Sequence, residues 1–289
     1  DKSIVLVKDG KPQAKIVIAK EPTKVAQFAA YELQYHIKKI TGAKLPIVKD
    51  NEKIKGNKIL VGESKYTKKY RINPERFKEQ EYLIQFFSDT IILIGKDKED
   101  KGKVVYPEDF FKEWKNLPAA ASTWPDIWDQ QGTLYATYDF LEKFCGVRWL
   151  NPTESGTFFP KKKTLIVKGN YLRRKPFFIY RDVYTGVDYE SAICLWKRGS
   201  EEYKKYLKDA YPSLSNTSIH YRRPFHKLFF LRMKAGGKKW YANHSMYDYY
   251  KRFPPEKYPE IWAKGYLSLI HISEPTRPLY ISYAVFCLK

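Results

Sequence analysis

The stretch GTLYATYDFLEKFCGVRWLNPTESGTFFP, Gly132–Pro160, predicts a helix followed by a short strand. Its apolar residues recur at three- and four-residue steps, as on one face of an amphipathic helix: Leu134, Tyr138, Leu141 and Cys145. The helix is expected over Thr133–Phe144, and Gly146 is expected to end it because glycine adopts a left-handed backbone without steric cost. Val147–Leu150 then predicts a strand, and Cys145 is expected to be a buried thiol.

Outward from this stretch, the pattern predicts an α/β fold. Ile4–Val7 and Lys15–Ile18 alternate around Asp9-Gly10, which indicates a hairpin. An amphipathic helix is predicted over Glu21–Ile40, with Thr41-Gly42 at its end. The other expected elements are strands at Leu45–Val48, Lys58–Val61, Tyr82–Phe87, Thr90–Ile94 and Thr164–Val167, a short polar helix at Ser64–Tyr70, and a loop with one helical turn at Lys96–Thr123. This order predicts a small sheet with helices packed on it.

Three blocks in this order carry a family resemblance. AAYELQYHIKKITGAKLPIV (Ala29–Val48), NKILVGES (Asn57–Ser64) and the Gly132–Pro160 stretch resemble the accessory α/β domain of bacterial α-glucuronidases and β-hexosaminidases. They also resemble a related group of uncharacterised glycoside-hydrolase-like proteins. The resemblance implies a hexosaminidase domain-2-like accessory domain over residues 1–170, and a parent protein that is secreted or periplasmic.

Beyond residue 170 the resemblance implies the start of a catalytic (β/α)8 barrel. Tyr171–Pro176 is basic and ends in proline, which indicates a linker. The next elements implied are a first barrel strand at Phe177–Arg181, helices at Asp188–Arg198 and Glu201–Ala210, a second strand at Trp240–His244, and a family-like segment at Phe253–Gly265. A complete barrel takes about 250 residues, so residues 171–266 would hold only a truncated part of one.

The ends of these two strands supply the candidate substrate-binding residues. Arg181 resembles the sugar-binding arginine of hexosaminidases, because its forked donors can hold two hydroxyl groups; the alternative is a salt bridge with Asp182. Asp182 is itself a weaker candidate. Asn243 and His244 follow the second strand, where His244 either donates to a sugar hydroxyl or is a satisfied structural histidine. Trp240 either stacks on a sugar ring or belongs to the core.

The catalytic groups themselves are not identified. Glycoside hydrolysis commonly needs two carboxyl groups, and no pair before Tyr266 matches the acid/base positions of these families. We therefore expect them beyond Tyr266 and expect this fragment to be inactive. The sequence has no metal-ligand spacing and no nucleotide-binding or serine-hydrolase motif, so neither a metal nor a cofactor is predicted. His36, in the first long helix, is expected to lie at the edge of the core.

The net charge of +21 bears on the partner. A basic chain suggests an acidic polysaccharide, nucleic acid or an anionic membrane, but no nucleic-acid motif is present and no apolar run would span a bilayer. Lysines are spread along the chain in short runs such as Lys161–Lys163, which is also typical of a solvated surface. The alternatives to a hydrolase fragment are thus a non-catalytic carbohydrate-binding module and a basic polyanion-binding module.

The final residues call for a different explanation. Back-translated, Leu267–Arg277 and Ile281–Leu288 fit the two ends of a sequencing-library adapter, and the residues between them take the place of the sample index. We interpret 267–289 as translated adapter in an assembled metagenomic gene and exclude His271 and Cys287 from any site. The start at Asp1, without methionine or a signal-like segment, indicates a removed leader or a missing start.

Overall fold

A computed structural model describes residues 1–181, 201–214, 219–239 and 251–261 of the chain. The chain divides into two compact units, Asp1–Lys238 and Lys239–Lys289. In the second unit the described residues form a turn, in which Lys257 and Tyr258 donate to the Pro254 carbonyl at 3.0 Å each, and a short 3-10 helix at Pro259–Ile261. Among the described residues, no helix combines the length and the apolar composition that a membrane span requires.

The first unit holds all the other described elements. The strands are β1 Lys2–Lys8, β2 Lys11–Pro12, β3 Ala14–Ile18, β4 Ile47–Lys49, β5 Asn57–Val61, β6 Tyr82–Phe86, β7 Thr90–Gly95, β8 Arg148–Trp149, β9 Thr157–Phe158, β10 Leu165–Gly169, β11 Tyr171–Arg174, β12 Tyr180–Arg181 and β13 Gly236–Gly237. The α-helices are α1 Lys24–Thr41, α2 Lys65–Lys69, α3 Leu117–Ser122, α4 Gly132–Lys143, α5 Glu201–Ala210 and α6 Ile219–Arg232.

A six-stranded mixed sheet in the order β11-β6-β7-β5-β3-β4 is the centre of this unit. Strands β3, β4, β5 and β7 run parallel, whereas β6 and β11 are antiparallel to their neighbours. All six residues of β7 are buried, as expected for a strand that is covered on both faces. The predicted mixed α/β fold with helices packed on a sheet is thus confirmed.

Helices α1 and α4 pack side by side on one face of this sheet. Thr23 caps α1 by accepting from the Ala26 amide at 3.1 Å, and Gly42 ends it in a left-handed conformation with φ 80°. Helix α4 begins at Gly132, where a Cβ would lie 2.6 Å from the Glu81 carbonyl oxygen, so the helix approaches the sheet too closely for any side chain there. After α4, Gly146 has φ 78° as predicted, and Cys145 is a buried free thiol.

The predicted N-terminal hairpin is only partly correct. β1 pairs with β2 and, on its other side, with β10 in a separate three-stranded sheet. β3 leaves this hairpin and becomes an inner strand of the six-stranded sheet, between β5 and β4. Four of its five residues are buried, and such a nearly continuous apolar strand is stabilised by cover on both faces rather than by a hairpin edge.

The predicted linker at Tyr171–Pro176 is wrong over its first four residues. β11 pairs antiparallel with β6 and forms the edge of the six-stranded sheet, with Tyr171 opposite Gln85. Its basic residues suit an edge strand, where charge disfavours pairing with another chain. The predicted domain limits, 1–170, 171–266 and 267–289, stay predictions.

The predicted first barrel strand is shorter than expected. Only Tyr180 and Arg181 form a strand, β12, and it pairs antiparallel with β13. The residues before it are exposed, with Phe177 at 90%, Phe178 at 67% and Ile179 at 50% of full accessibility. The helix predicted at Glu201–Ala210 is present as α5. The elements predicted at Asp188–Arg198 and Trp240–His244 and the segment 267–289 lie outside the described residues.

Candidate functional site

Arg181 is the one predicted substrate-binding residue that the structure describes, and its guanidinium bonds within the protein. Nε donates to the Lys234 carbonyl at 2.7 Å, Nη1 to the Phe178 carbonyl at 2.6 Å and Nη2 to the Tyr135 hydroxyl at 2.9 Å. The guanidinium carbon also lies 5.5 Å from the centre of the Tyr135 ring. These bonds hold β12, the turn after α6 and helix α4 together, and the role of Arg181 in sugar binding stays a prediction.

The structure does not describe the other predicted site residues. Asp182, Trp240, Asn243 and His244 lie outside the described residues, as does the chain beyond Tyr266, where we expect the catalytic groups. Their proposed roles therefore stay predictions. In the described ranges there is no group of three or more histidine, cysteine or acidic side chains arranged to hold a metal ion.

Arg181 belongs to a polar cluster centred on one carboxylate. Asp139, on α4, accepts from Lys234 Nζ at 2.8 Å and from the Tyr82 hydroxyl at 2.7 Å. Burial opposes ionisation of Asp139, yet the Lys234 ammonium outweighs it and keeps the pKa of the carboxyl below its ordinary value. We call Tyr82, Tyr135, Asp139, Arg181 and Lys234 the Arg181 cluster.

The backbone beside this cluster is held in unusual conformations. Lys234 has φ 56°, and Gly236 and Gly237 have φ 91° and 99°. A Cβ on Gly236 would lie 1.9 Å from the Ile127 carbonyl oxygen, and one on Gly237 would lie 2.2 Å from that of Ile179. Only glycine fits at these two positions. The close packing of residues 236 and 237 against the Ile127 and Ile179 carbonyls therefore fixes the backbone that carries Arg181 and Lys234.

A second polar cluster lies deeper, between α1 and the end of α6. Arg232 Nε and Nη2 donate to the two carboxylate oxygens of Glu32 at 2.9 and 3.0 Å, and the Tyr106 hydroxyl donates to the same carboxylate. The Glu32 side chain is fully buried, and that of Arg232 is 10% exposed. Burial raises the pKa of Glu32, but Arg232 overrides it and lowers the value to about 2, so the pair is ionised.

His36 extends this buried cluster and its tautomer is fixed by its partners. Trp149 Nε1–H donates to His36 Nε2 at 3.0 Å, so Nε2 is an acceptor and Nδ1 donates to the Glu32 carbonyl at 2.7 Å. Burial lowers the pKa of His36 to about 4, which keeps the ring neutral. We call Glu32, His36, Tyr106, Trp149 and Arg232 the inner cluster. Its donors and acceptors bond to one another, so its role is structural.

A cleft of about 530 Å³ opens at the carboxyl ends of the parallel strands β3, β5 and β7. Strand β4 lies on one side of β3, and the next strand in the chain, β5, lies on its other side. Open α/β sheets commonly bind ligands at such a switch point in strand order. Asp97 lines the cleft, and burial raises its pKa to about 7. Asp50 lines it too, but its two oxygens accept from the Lys20 and Lys65 amides at 2.8 Å each, so this carboxylate fixes loops.

Sequence reasoning missed both clusters, although one signal for the inner cluster was present. The residues of α1 that face the core follow the steps 25, 29, 32, 36 and 40, and this stripe includes Glu32 and His36. Two polar residues on an apolar stripe indicate buried partners elsewhere in the chain. No comparable local signal marks Arg232, Lys234 or Asp139.

Comparisons with known proteins give a partial likeness. No protein-family model matches the chain, and no curated protein matches it in sequence. Among solved structures, a family GH115 4-O-methyl-α-glucuronidase with specificity for decorated arabinogalactans is 16% identical with a TM-score of 0.42 over 81% of this chain and 25% of that chain.

Two further solved structures are similar at the same level. A GH20 exo-β-N-acetylglucosaminidase from Vibrio harveyi is 15% identical, with a TM-score of 0.32 over 63% of this chain and 18% of that chain. A Streptomyces plicatus β-hexosaminidase is 10% identical, with a TM-score of 0.31 over 62% and 24%. The chain spans a quarter or less of these three glycoside hydrolases. At these identities and TM-scores the likeness does not extend to activity.

Proposed function

We propose that the chain is part of a secreted or periplasmic bacterial glycoside-hydrolase-like protein that acts on a polysaccharide or oligosaccharide. In this proposal residues 1–170 are the accessory α/β domain, residues 171–266 are the opening part of a (β/α)8 barrel, and residues 267–289 are translated adapter. The catalytic carboxylates belong to later barrel strands, so the chain alone does not hydrolyse glycosides.

The observation that carries the proposal is the exposed apolar run before β12. Phe177, Phe178 and Ile179 come soon after β11 and present one-half to nine-tenths of their surface to water. Consecutive apolar residues without alternation are typical of strands that are covered on both faces, as barrel strands are. Large contiguous apolar exposure is uncommon in soluble proteins and favours a missing partner surface.

The two polar clusters support the same arrangement. Through Arg232 and Lys234, the end of α6 and the turn after it are joined to α1 and α4 by charged hydrogen bonds. Such bonds fix the proposed opening part of the barrel on the accessory domain. This favours a supporting domain that is packed against a catalytic one over a free-standing binding module.

The two buried carboxylates of the polar clusters do not form an alternative catalytic pair. Glu32 is buried and bonded to Arg232, and Asp139 is bonded to Lys234 and Tyr82. Both are held ionised by these partners, whereas a general acid needs a raised pKa and access to substrate. Asp97 has the raised pKa, about 7, but its Oδ1 accepts from the Thr133 amide at 2.9 Å at the start of α4, which gives this carboxyl a structural role.

The test is to recover the uninterrupted gene beyond Tyr266 and to compare the longer protein with the present chain. The longer protein should hydrolyse chromogenic aryl glycosides and should bind less of an apolar-surface dye per molecule, because later strands cover Phe177 and Phe178. The present chain is the matched control and should show no turnover. Turnover by the chain itself, or a natural gene that ends in residues 267–289, would overturn the proposal.

A further inference from the structure

A lysine-lined cleft of about 860 Å³ lies at the carboxyl end of α1, away from the Arg181 cluster. Three segments form its walls: the end of α1 at 38–42, the segment 108–113 and the run 161–163. Six lysines and three carboxylates line it: Lys38, Lys39, Lys112, Lys161, Lys162 and Lys163, with Glu108, Asp109 and Glu113. Its volume falls in the range of small-ligand sites, about 300–1,000 Å³.

The three carboxylates are engaged locally and leave the lysines in excess. Glu108 pairs with Lys44 at 2.6 Å, outside the lining. Glu113 accepts from the Asp109 amide at 2.9 Å, and Asp109 accepts from the Phe111 amide at 3.1 Å. None of these bonds is made to a lysine of the cleft, and six lysines stand against three carboxylates in its lining.

The lysine run is held in place by its backbone. Lys161 Nζ donates to the Lys39 carbonyl at 2.9 Å, and the Lys162 amide donates to the Ile40 carbonyl at 3.1 Å. At the other end of the run, the Lys163 carbonyl accepts from the Gly10 amide at 2.8 Å. The side chains of Lys162 and Lys163 are exposed and form no ion pair within the described residues. The run thus presents two cations from a fixed backbone, which lowers the entropic cost of binding.

Stabilisation of the helix end explains only part of this charge. Cations near the carboxyl end of a helix interact favourably with its dipole within the last turn. That accounts for Lys38, Lys39 and Lys161, which sit on or bond to the last turn of α1. It gives no reason for Lys112 and Lys163, which come from other segments and line the same cleft.

We infer that this cleft binds a linear anionic oligosaccharide through the carboxylate groups of its sugar units. Lysine ammonium groups pair with the carboxylates of the ligand. The inference is independent of the proposed hydrolase function, since it assigns a binding site in residues 1–170 and no reaction.

The lining disfavours single-stranded nucleic acid and compact phosphate groups. Single-stranded nucleic acid is held by stacking on open aromatic faces, and the aromatic residue in the described lining, Tyr35, lies beneath Lys39 Nζ at 5.3 Å and packs edge-on against Phe110. Compact phosphate groups are favoured by arginine forks and helix amino ends. The described lining of this cleft includes no arginine.

The experiment titrates the full 289-residue chain with a fluorophore-labelled oligogalacturonide at low and at physiological salt. Binding should be saturable and should weaken as salt screens the lysines. Exchanging Lys162 and Lys163 for glutamate should weaken it by about tenfold or more, a loss of about 1.4 kcal/mol. The matched control exchanges Lys53 and Lys55, two exposed lysines of the loop before β5, for glutamate; it changes the net charge equally and should leave binding unchanged.

Three outcomes would overturn the inference. One is the absence of saturable binding, and another is an equal loss in both double variants, which would assign binding to net charge. The third is tighter binding of a labelled single-stranded oligonucleotide that is lost only in the 162/163 variant. A methyl-esterified oligogalacturonide, which lacks the carboxylate charge, should not bind. None of these results depends on glycoside turnover, so the hydrolase proposal stands or falls separately.

Discussion

The inner cluster and the Arg181 cluster hold the same short segment in two different ways. Arg232 ends α6 in a buried pair with Glu32, whereas two residues later Lys234, 24% exposed, bonds Asp139. In the inner cluster the Glu32 carboxylate has one cationic partner, Arg232, and also accepts from the Tyr106 hydroxyl. In the Arg181 cluster two lysines share one carboxylate, because Lys143 also lies 3.3 Å from Asp139. Breaking the inner cluster would leave a buried charge without its partner. In the Arg181 cluster, the carboxylate has two partly exposed cations beside it, near the predicted sugar-binding arginine.

The largest effect should follow from removing Arg232. Arg232→Met keeps most of the side-chain volume but leaves the Glu32 carboxylate buried without its cation. Breaking a buried pair in this way costs about 3–5 kcal/mol, measured as the free energy of unfolding in denaturant. Arg173→Met is the matched control, because Arg173 forms a bidentate pair with Glu81 at 3.0 Å but is 40% exposed. That change should cost about 0–1 kcal/mol, and similar losses in both variants would mean that burial does not raise the cost of breaking the Arg232–Glu32 pair.

A smaller effect should appear in the pH dependence of stability. The pKa of His36 falls from 6.5 to about 4 on folding, so the unfolded chain binds more protons between these values. Stability from this group is therefore complete above pH 6.5 and is lost as the pH falls toward 4, by up to about 3 kcal/mol. In His36→Gln, the side-chain oxygen can still accept from Trp149. The contribution of residue 36 to the change of unfolding free energy with pH should be absent. The loss from Glu32, between about pH 4.5 and 2, should remain.

That pH experiment has a clear contrary result. Unfolding would be followed in denaturant for both proteins at about pH 7, 5.5 and 4.5, which spans the window between the two pKa values of His36. An unchanged slope in the variant would mean that His36 is not held neutral by its burial. The sign would also be wrong if the native protein gained stability relative to the variant on acidification across this range. The comparison is made between the two proteins because Asp97, whose pKa is raised to about 7, contributes equally to both with the opposite sign.

The smallest of the three effects should come from the Arg181 cluster. Asp139→Asn removes the charge that faces Lys234 but keeps an acceptor for Tyr82, and we expect a loss of about 1–3 kcal/mol in unfolding free energy. Lys143→Ala is the control beside the cluster and should cost less than about 1 kcal/mol, because Lys143 is 33% exposed. An equal loss in both would show that water screens the two lysines alike.

The parts of the fold that were predictable from sequence have local causes. Helices α1 and α4 follow from apolar spacing and from Gly42 and Gly146 at or after their ends, all of which lie within a few residues of what they determine. β3 was misassigned because the choice between a hairpin and an inner parallel strand depends on which other strands cover it. For the same reason the linker interpretation of Tyr171–Arg174 failed, since its partner β6 lies far back in the chain.

The polar clusters were harder to predict, for a related reason. Glu32 and Arg232 are 200 positions apart, and nothing near either residue specifies the other. His36 was expected at the edge of the core, but it is fully buried because Trp149 and the Glu32 carbonyl satisfy both ring nitrogens. The predicted sugar-binding role of Arg181 rests on its place at a strand end and on the resemblance to the hexosaminidase arginine. The bonds to Lys234 and Tyr135 could not be inferred from either.

The buried thiol between α4 and β8 is a natural probe of local unfolding. Burial raises the pKa of Cys145 to about 12, so almost none of it is thiolate at neutral pH, and it is only 2% exposed. An alkylating reagent therefore reaches this sulfur only when the packing around residue 145 opens. Peptide mapping resolves Cys145 from Cys194 and Cys287, so its labelling rate reports how often the chain opens around residue 145, without any engineered probe.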